Sequence, residues 1–114
     1  MKRFFFFPQT LGKERFSDLL EIGSSYIFLK TEFYCNKIYI DAFNKVTSAT
    51  GSTYPDAKKK MFDLLDDGLL LINYCGHGST KGWTAERILE LNDIQKMYLK
   101  RLPLFITATC DFSR

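Results

Sequence analysis

The sequence predicts an α/β fold with a mostly parallel sheet, and two apolar segments are the main basis for this prediction. Residues 69–74 and 102–109 are nearly unbroken apolar runs, as expected of strands that are covered on both faces. Helical patterns precede and separate them, and this alternation favours parallel strands joined by right-handed crossovers. Each run ends in small residues and one reactive side chain, His77 in the first case and Cys110 in the second.

The first half of the chain carries weaker signals. Residues 13–22 have apolar positions on one side, and this pattern predicts a helix that ends at Gly23. Residues 26–29 suggest a short strand. Residues 37–43 are rich in β-forming side chains and predict a clearer strand. Residues 44–52 are polar and predict a loop.

The clearest helix signal begins at Thr53. Asp56 follows three residues later in a box-like N-terminal pattern, and Pro55 falls in the first turn, where its missing N–H costs no hydrogen bond. Gly68 suits the left-handed position that ends many helices. Apolar residues at helical spacing predict one buried face, formed by Tyr54, Ala57, Met61, Leu64 and Leu65.

The second half of the chain predicts a strand, a loop, helical segments and a final strand. The strand over residues 69–74 is followed by a loop over residues 76–82. Residues 83–99 predict one or two short helices, divided near residues 92–93. The last strand covers residues 102–109 and tolerates a proline at its start.

Length and composition restrict the classes of function. A chain of 114 residues is one small domain or a piece of a larger one. The net charge is +3, and the basic residues are scattered among acidic ones, so we expect no nucleic-acid partner. No apolar run approaches the ~18 residues of a membrane helix, so no transmembrane segment is expected. The short N-terminal phenylalanine run lacks the length and the cleavage site of a signal peptide.

The three cysteines, Cys35, Cys75 and Cys110, do not form a recognisable framework. Their odd number and wide spacing do not favour disulfides. Cys75, His77 and Cys110 offer three metal ligands, whereas structural zinc takes four. We therefore expect neither a metal nor another cofactor, and a Cys/His metal protein is a third, less favoured hypothesis.

His77 and Cys110 are the candidate catalytic pair. Neighbouring strands lie about 4.8 Å apart, so residues just beyond two such strand ends are within side-chain reach. An imidazole exchanges protons near neutral pH, and a nearby imidazolium turns a thiol into a useful nucleophile by lowering its pKa. Backbone N–H groups of the turn at residues 76–78 and of Cys110 can stabilise an oxyanion. The competing interpretation is a buried core thiol and an ordinary loop histidine.

The residues around this pair resemble the gingipain family of cysteine peptidases. Within that family, the similarity is greatest to the type IX secretion sortases, and it covers residues 36–114 but is poor over residues 1–35. This contrast predicts an N-terminal segment at 1–35 and a partial peptidase domain at 36–114. The segments that carry the resemblance are residues 37–43, 51–57, 74–79, 83, 86–87, 93–94 and 102–114.

The resemblance implies a caspase-like α/β/α sandwich that is incomplete in this chain. It implies that His77 is the catalytic histidine, that Cys110 is the nucleophile, and that the N–H groups of Gly78 and Cys110 form the oxyanion hole. Asp41, at a predicted strand end, is a candidate third member of the site. No cofactor is implied.

The implied activity is that of a cysteine endopeptidase or sortase. Its substrates would be secreted proteins, cleaved at a C-terminal sorting domain. The partners would be other secretion components of the outer membrane, and the parent protein would lie at the cell surface or outer membrane. Because the sortases are longer and continue past the nucleophile, we expect a fragment. The alternative is an inactive remnant or a non-enzymatic interaction module.

Overall fold

Four parallel strands form the main sheet. The computed structural model describes residues 2–8, 33–80, 82–83 and 86–109. In chain order the strands are β1 (Lys2–Pro8), β2 (Phe33–Lys37), β3 (Val46–Ser48), β4 (Gly51–Thr53), β5 (Leu71–Cys75), β6 (Gly78–Ser79), β7 (Gly82–Trp83), β8 (Leu89–Glu90) and β9 (Leu104–Ala108). The helices are a short 3-10 helix (Ile40–Ala42), α1 (Pro55–Asp67) and α2 (Leu91–Lys96).

The strands of the main sheet follow the order β2-β1-β5-β9. Phe6 of β1 is opposite Lys37 on one side and Asn73 on the other, and all three ladders are parallel. The chain therefore moves outward from β1 to β2, returns across β1 to β5, and continues to β9. The prediction of an α/β fold with a parallel sheet is confirmed, and the reversal creates a topological switch point between β1 and β5.

Strand β1 was not predicted, although it is central in the sheet. Its run of four phenylalanines bounded by Pro8 is typical of a short buried strand. Pro8 lies at the last position of the strand. The predicted boundary between an N-terminal segment (residues 1–35) and a partial peptidase domain (residues 36–114) falls within β2. This boundary remains a prediction. The helix and strand predicted over residues 13–22 and 26–29 lie outside the described residues.

Helix α1 supplies the predicted apolar face. Pro55 occupies its first turn, and Gly68 ends it with φ of 99°, both as expected. The predicted role of Thr53 was wrong: Tyr54 is the N-cap, because Thr53 pairs with Val46 in the β3–β4 hairpin. The buried residues of α1 belong to one cluster with side chains of β5 and β7, namely Ala57, Met61, Leu64, Leu65, Ile72, Tyr74 and Trp83.

The strand predicted over residues 37–43 lies earlier in the chain, at Phe33–Lys37. Ile38 and Ile40 then leave the ladder and are each only 2% exposed. Both side chains belong to the core, Ile38 from the irregular segment after β2 and Ile40 from the start of the 3-10 helix. The loop predicted over residues 44–52 contains most of the β3–β4 hairpin, whose turn leads into Gly51 at φ of 119°.

The prediction of helix over residues 83–99 was correct only for Leu91–Lys96. Trp83 lies in β7, which pairs with β6 and β8. Residues 92–93 lie inside α2, where Asp93 and Glu90 form a capping box. Lys58 of α1 approaches Asp93 to 2.7 Å, and this ion pair joins the two helices. The first turn of α2 is therefore held to α1 by an ion pair.

Strand β9 is more exposed than predicted. Leu104, Phe105 and Ile106 keep 61%, 38% and 45% of their surface accessible. Strand β9 is the last strand in the order of the described sheet and has β5 on one side only. Its side chains are also incompletely covered by other elements, so both of its faces carry accessible apolar side chains.

No helix in the described ranges is sufficiently long and apolar to cross a bilayer.

Replacement of Met61 by alanine tests the core beneath the sheet. Met61 is fully buried, so truncation leaves a cavity, and we expect the free energy of unfolding to fall by about 2–5 kcal/mol. Its exposed neighbour Lys60 is the matched control, and Lys60→Ala should change stability by about 0.5 kcal/mol or less. Urea unfolding followed by circular dichroism measures both. Equal losses would contradict the described packing of α1.

Candidate active site

His77 lies just beyond the carboxyl end of β5. Gly76 separates it from Cys75, and Gly78 begins β6 immediately after it. His77 is exposed, whereas Gly76 and Gly78 on either side of it are half-buried. The imidazole is therefore presented to solvent from a backbone held against the protein, as a proton-transfer group requires.

An aromatic pair lies beneath this turn. The Tyr74 hydroxyl donates a hydrogen bond of 2.6 Å to the His77 carbonyl oxygen. The Tyr74 ring stacks on Trp83, with centroids 4.4 Å apart and planes inclined by 13°. Both side chains are fully buried. The turn that carries His77 is thus fixed to the core by a hydrogen bond from a packed ring, and sequence analysis gave neither aromatic residue this role.

The β6–β7 hairpin closes the turn on its other side. Gly78 is opposite Trp83, and Gly82 is opposite Glu90 in the next ladder. A Cβ atom added at Gly82 would lie 2.2 Å from the carbonyl oxygen of Leu89, which is backbone and cannot move aside alone. Gly82 is therefore needed for the close approach of β7 to β8, and hence for the position of Trp83.

The ladder between β5 and β9 aligns the ends of the two apolar strands. Cys75 is opposite Ala108, and the Gly76 N–H donates to the Ala108 carbonyl oxygen at 3.3 Å. The rings of Trp83 and Phe105, 6.2 Å apart, add a side-chain contact between β7 and β9. The two strands predicted to be neighbours are therefore parallel neighbours with level carboxyl ends.

Cys110 lies outside the described residues, so its distance from His77 stays a prediction. Along the chain it follows Ala108 by two positions, as His77 follows Cys75. Gly78, the other predicted contributor to an oxyanion hole, lies directly after His77 at the start of β6. The described part of the site is thus the histidine and its glycine neighbours.

Asp41 lies on the far side of the sheet from β9. It is an exposed residue of the 3-10 helix that follows β2, and β1 separates β2 from β5. Lys37 and Asn73 are both opposite Phe6, so Asp41 and His77 each lie four positions beyond level residues. They share the carboxyl edge of the sheet but belong to strands about 9.6 Å apart, twice the usual spacing. A catalytic role for Asp41 remains a prediction.

The switch point places a crevice beside the same residues. In open α/β sheets, ligands bind outside the carboxyl ends of strands where the winding direction reverses. Here that point lies between β1 and β5, whose last residues, Pro8 and Cys75, are opposite each other. His77 is therefore next to the position where this topology usually binds its ligand.

The environments of Cys35 and Cys75 differ from that of an exposed nucleophile. Both thiols are half-buried. Burial raises the pKa of Cys35, and the nearby Lys37 only partly opposes this. Cys35 is therefore less ionised at neutral pH than an ordinary thiol. Within the ranges that the structure describes, no group of three or more His, Cys, Asp or Glu residues could hold a metal ion.

An apolar cavity of about 270 Å³ lies beside Trp83 and β9. Its walls come from β7, β8, α2, the segment after α2, and β9, and the lining residues are Trp83, Leu89, Ile94, Met97, Leu99, Leu102, Phe105 and Thr107. Because Trp83 also stacks on Tyr74, the cavity adjoins the aromatic pair that supports His77.

Comparison with known proteins gives the family. The model of peptidase family C25 matches residues 12–114. The chain belongs to this family. C25 members are cysteine peptidases, so the family supports a hydrolase that acts on protein or peptide substrates. Neither a curated protein nor a solved structure matches the chain significantly.

Replacement of Tyr74 by phenylalanine tests the support of the His77 turn. The ring stack stays, but the hydrogen bond from the Tyr74 hydroxyl to the His77 carbonyl is lost, and we expect the free energy of unfolding to fall by about 1 kcal/mol. Tyr98 is 88% exposed, so Tyr98→Phe is a control for loss of a hydroxyl and should be neutral. Thermal and urea unfolding measure both changes. Equal stability of the two variants would show that the hydrogen bond does not hold the turn.

Proposed function

We propose that the chain is part of a gingipain-type cysteine endopeptidase domain in which His77 activates Cys110. The observation that supports this most strongly is the ladder that sets Cys75 opposite Ala108. His77 and Cys110 are each two positions beyond this level pair, on strands about 4.8 Å apart. Membership of a cysteine-peptidase family and the single histidine of the chain agree with this assignment.

In the proposed mechanism, His77 takes the proton of the Cys110 thiol. The thiolate attacks the carbonyl carbon of a peptide bond, and the N–H groups of Gly78 and Cys110 stabilise the negative charge on the oxygen. Protonated His77 then gives its proton to the departing amine, leaving a thioester on Cys110. Attack on the thioester by water releases an acid, whereas attack by an amine forms a new peptide bond.

We further propose that the parent is a type IX secretion sortase resembling PorU. Its substrates would be secreted proteins cleaved at a C-terminal sorting domain, and its partners would be other components of the outer-membrane secretion machinery. The parent would accordingly lie at the cell surface or outer membrane. Support for this closer assignment comes from the sequence segments that resemble the sortases, especially residues 37–43 and 51–57.

A caspase-like α/β/α sandwich is the proposed architecture of the complete domain. The order β2-β1-β5-β9 reverses direction at β1, and right-handed crossovers on either side of such a reversal fall on opposite faces of the sheet. The accessible apolar faces of β9 also support a fragment, since a further layer and strand would cover them.

An inactive remnant is the second candidate, and the same exposed strand favours it. Cys110 follows β9 closely, and β9 has a described neighbour only at β5. A thiol that follows a strand with a single neighbour has fewer groups to hold it in position. The remnant would retain the sheet as an interaction module without the catalytic activity of the family.

The ionisation of Cys110 distinguishes the two candidates. Alkylation by iodoacetamide across pH, with the modified sites assigned by mass spectrometry, gives an apparent pKa for each thiol. An active pair predicts a Cys110 pKa well below about 8, because His77 stabilises the thiolate, and a return toward the ordinary value in His77→Ala. Cys35, whose pKa is raised, should react slowly in both proteins and is the internal control.

The opposite outcome for Cys110 is equally clear. A titration of Cys110 like that of an ordinary thiol, and unchanged by His77→Ala, would contradict the proposed pair and favour the remnant. In the active case, incubation with a peptide substrate should also give a thioester-linked mass on Cys110 that hydroxylamine removes. Cys110→Ser should form no such adduct.

A further inference from the structure

A second cavity, of about 260 Å³, lies between the β3–β4 hairpin, the start of α1 and residues 86–90. It is polar, and four charged side chains line it: Lys58, Glu86, Arg87 and Glu90. Its volume is below the roughly 300–1,000 Å³ of pockets that enclose a whole small molecule, so it suits one side chain of a longer peptide. Its described walls contain no residue of β9, next to which the proposed complete domain would continue.

This polar cavity lies toward the same edge of the main sheet as His77. Residues 68–70 alone separate α1 from β5, so α1 ends at the amino edge and begins toward the carboxyl edge, where Pro55 lines the cavity. Ile88, another lining residue, donates its N–H to the Trp83 carbonyl oxygen at 3.2 Å. Trp83 in turn stacks on Tyr74, which bonds to the His77 carbonyl. The cavity and the His77 turn are therefore built on the same aromatic pair.

The three-stranded sheet β6–β8 gives the separation between the cavity and His77. Ser79 is opposite Gly82, which is opposite the lining residue Glu90. Ser79 and Glu90 are therefore about 9.6 Å apart, twice the usual strand spacing, and His77 precedes Ser79 by two positions. An extended peptide advances about 3.3 Å per residue, so the cavity is about three to five residues from a bond cleaved beside His77.

Three of the four charged side chains in the cavity wall already have ionic or polar partners. Lys58 Nζ lies 3.6 Å from a carboxylate oxygen of Glu90 and 2.7 Å from one of Asp93. The Glu90 carboxylate also accepts a backbone N–H of the capping box that begins α2. Glu86 has a partner as well. These groups therefore offer less of their charge to a ligand.

Arg87 is the exception in this wall. Its guanidinium donates a hydrogen bond of 2.8 Å to the neutral Thr50 carbonyl oxygen, and no carboxylate of the described ranges forms an ion pair with it. Arg87 is half-buried and has φ of 55°, in the left-handed region that residues other than glycine seldom adopt. Such backbone conformations are concentrated at functional sites. The planar guanidinium keeps further N–H donors, whose geometry matches the two oxygens of a carboxylate.

We propose that this cavity is a substrate subsite in which Arg87 binds the carboxylate of an aspartate or glutamate side chain. The inference rests on the proposed peptidase function and names a substrate class for it: peptides with an acidic residue about three to five positions from the cleaved bond. An endopeptidase acts within a chain, so a side chain supplies the carboxylate rather than a C-terminus. Pairing would give the half-buried Arg87 the anionic partner that it lacks among the described residues.

Binding to matched peptide pools tests this subsite without requiring cleavage. Every protein carries Cys110→Ala, and two pools of acetylated and amidated ten-residue peptides differ only because each aspartate in one is asparagine in the other. Affinity selection followed by mass spectrometry measures retention. We expect about tenfold greater retention of the aspartate pool, because asparagine lacks the charge that strengthens hydrogen bonds to Arg87. Arg87→Gln should remove this preference. Arg101→Gln changes an exposed arginine near Gly68, at the opposite end of α1, and should preserve it.

A variant with the opposite expected effect separates loss of binding from loss of folding. Glu86→Gln removes a negative charge from the cavity wall and should raise the preference for aspartate about twofold, a gain that damage to the fold cannot produce. Circular dichroism verifies that each variant is folded. Equal retention of the two pools, a preference that survives Arg87→Gln, or a lower preference in Glu86→Gln would overturn the inference.

The alkylation of Cys110 in the unsubstituted chain tests the peptidase function separately. An ordinary Cys110 titration together with an Arg87-dependent preference for aspartate would contradict the peptidase proposal but support the binding of acidic peptides. A reactive Cys110 together with equal retention of the two pools would contradict the subsite alone.

Discussion

The parallel ladder between β5 and β9 is the constraint on which the candidate site depends. It sets Cys75 level with Ala108, and it gives the His77 turn its first anchor through the bond from Gly76 to the Ala108 carbonyl. The sequence immediately beyond each strand then determines what chemistry lies at the edge. A shift of one residue in this register would move one strand end relative to the other and would reverse the faces of its side chains.

The buried aromatic pair gives the turn its second anchor. Tyr74 bonds to the His77 carbonyl, and Trp83 packs against Tyr74 from the adjoining hairpin. Gly82 permits this arrangement because a larger residue would strike the backbone of β8. The exposed histidine is therefore positioned by groups that are themselves in the core, so packing around Trp83 and the geometry of the candidate site are linked.

Sequence reasoning succeeded where a local pattern determines the structure. The period of α1, with Pro55 at its start and Gly68 at its end, and the apolar runs of β5 and β9 were sufficient to predict these elements. It missed β1, because a short unbroken phenylalanine run has no period that distinguishes a buried strand from a buried helical segment. It also predicted that both faces of β9 are buried. Burial depends on the neighbouring elements, and a run of apolar residues does not identify them.

The site shows the same limit. His77 was found from its glycine neighbours, but the support from Tyr74 and Trp83 depends on a hairpin whose two-residue strands are too short to leave a periodic signal. Asp41 was placed at a strand end and instead lies in a 3-10 turn. Short strands and turns are governed by close tertiary contacts, which explains why the helix predicted at residue 83 was wrong.

The separation of β5 from β9 along the chain has a consequence for the time at which the site forms. Residues 76–103 must be placed before the ladder between these strands can close, and such non-local parallel pairings are slow steps in folding. During synthesis the histidine segment also leaves the ribosome before β9 does. The chemistry proposed for the two strand ends would therefore become available only when the sheet is assembled, and this requirement would delay the proposed activity until the chain has folded.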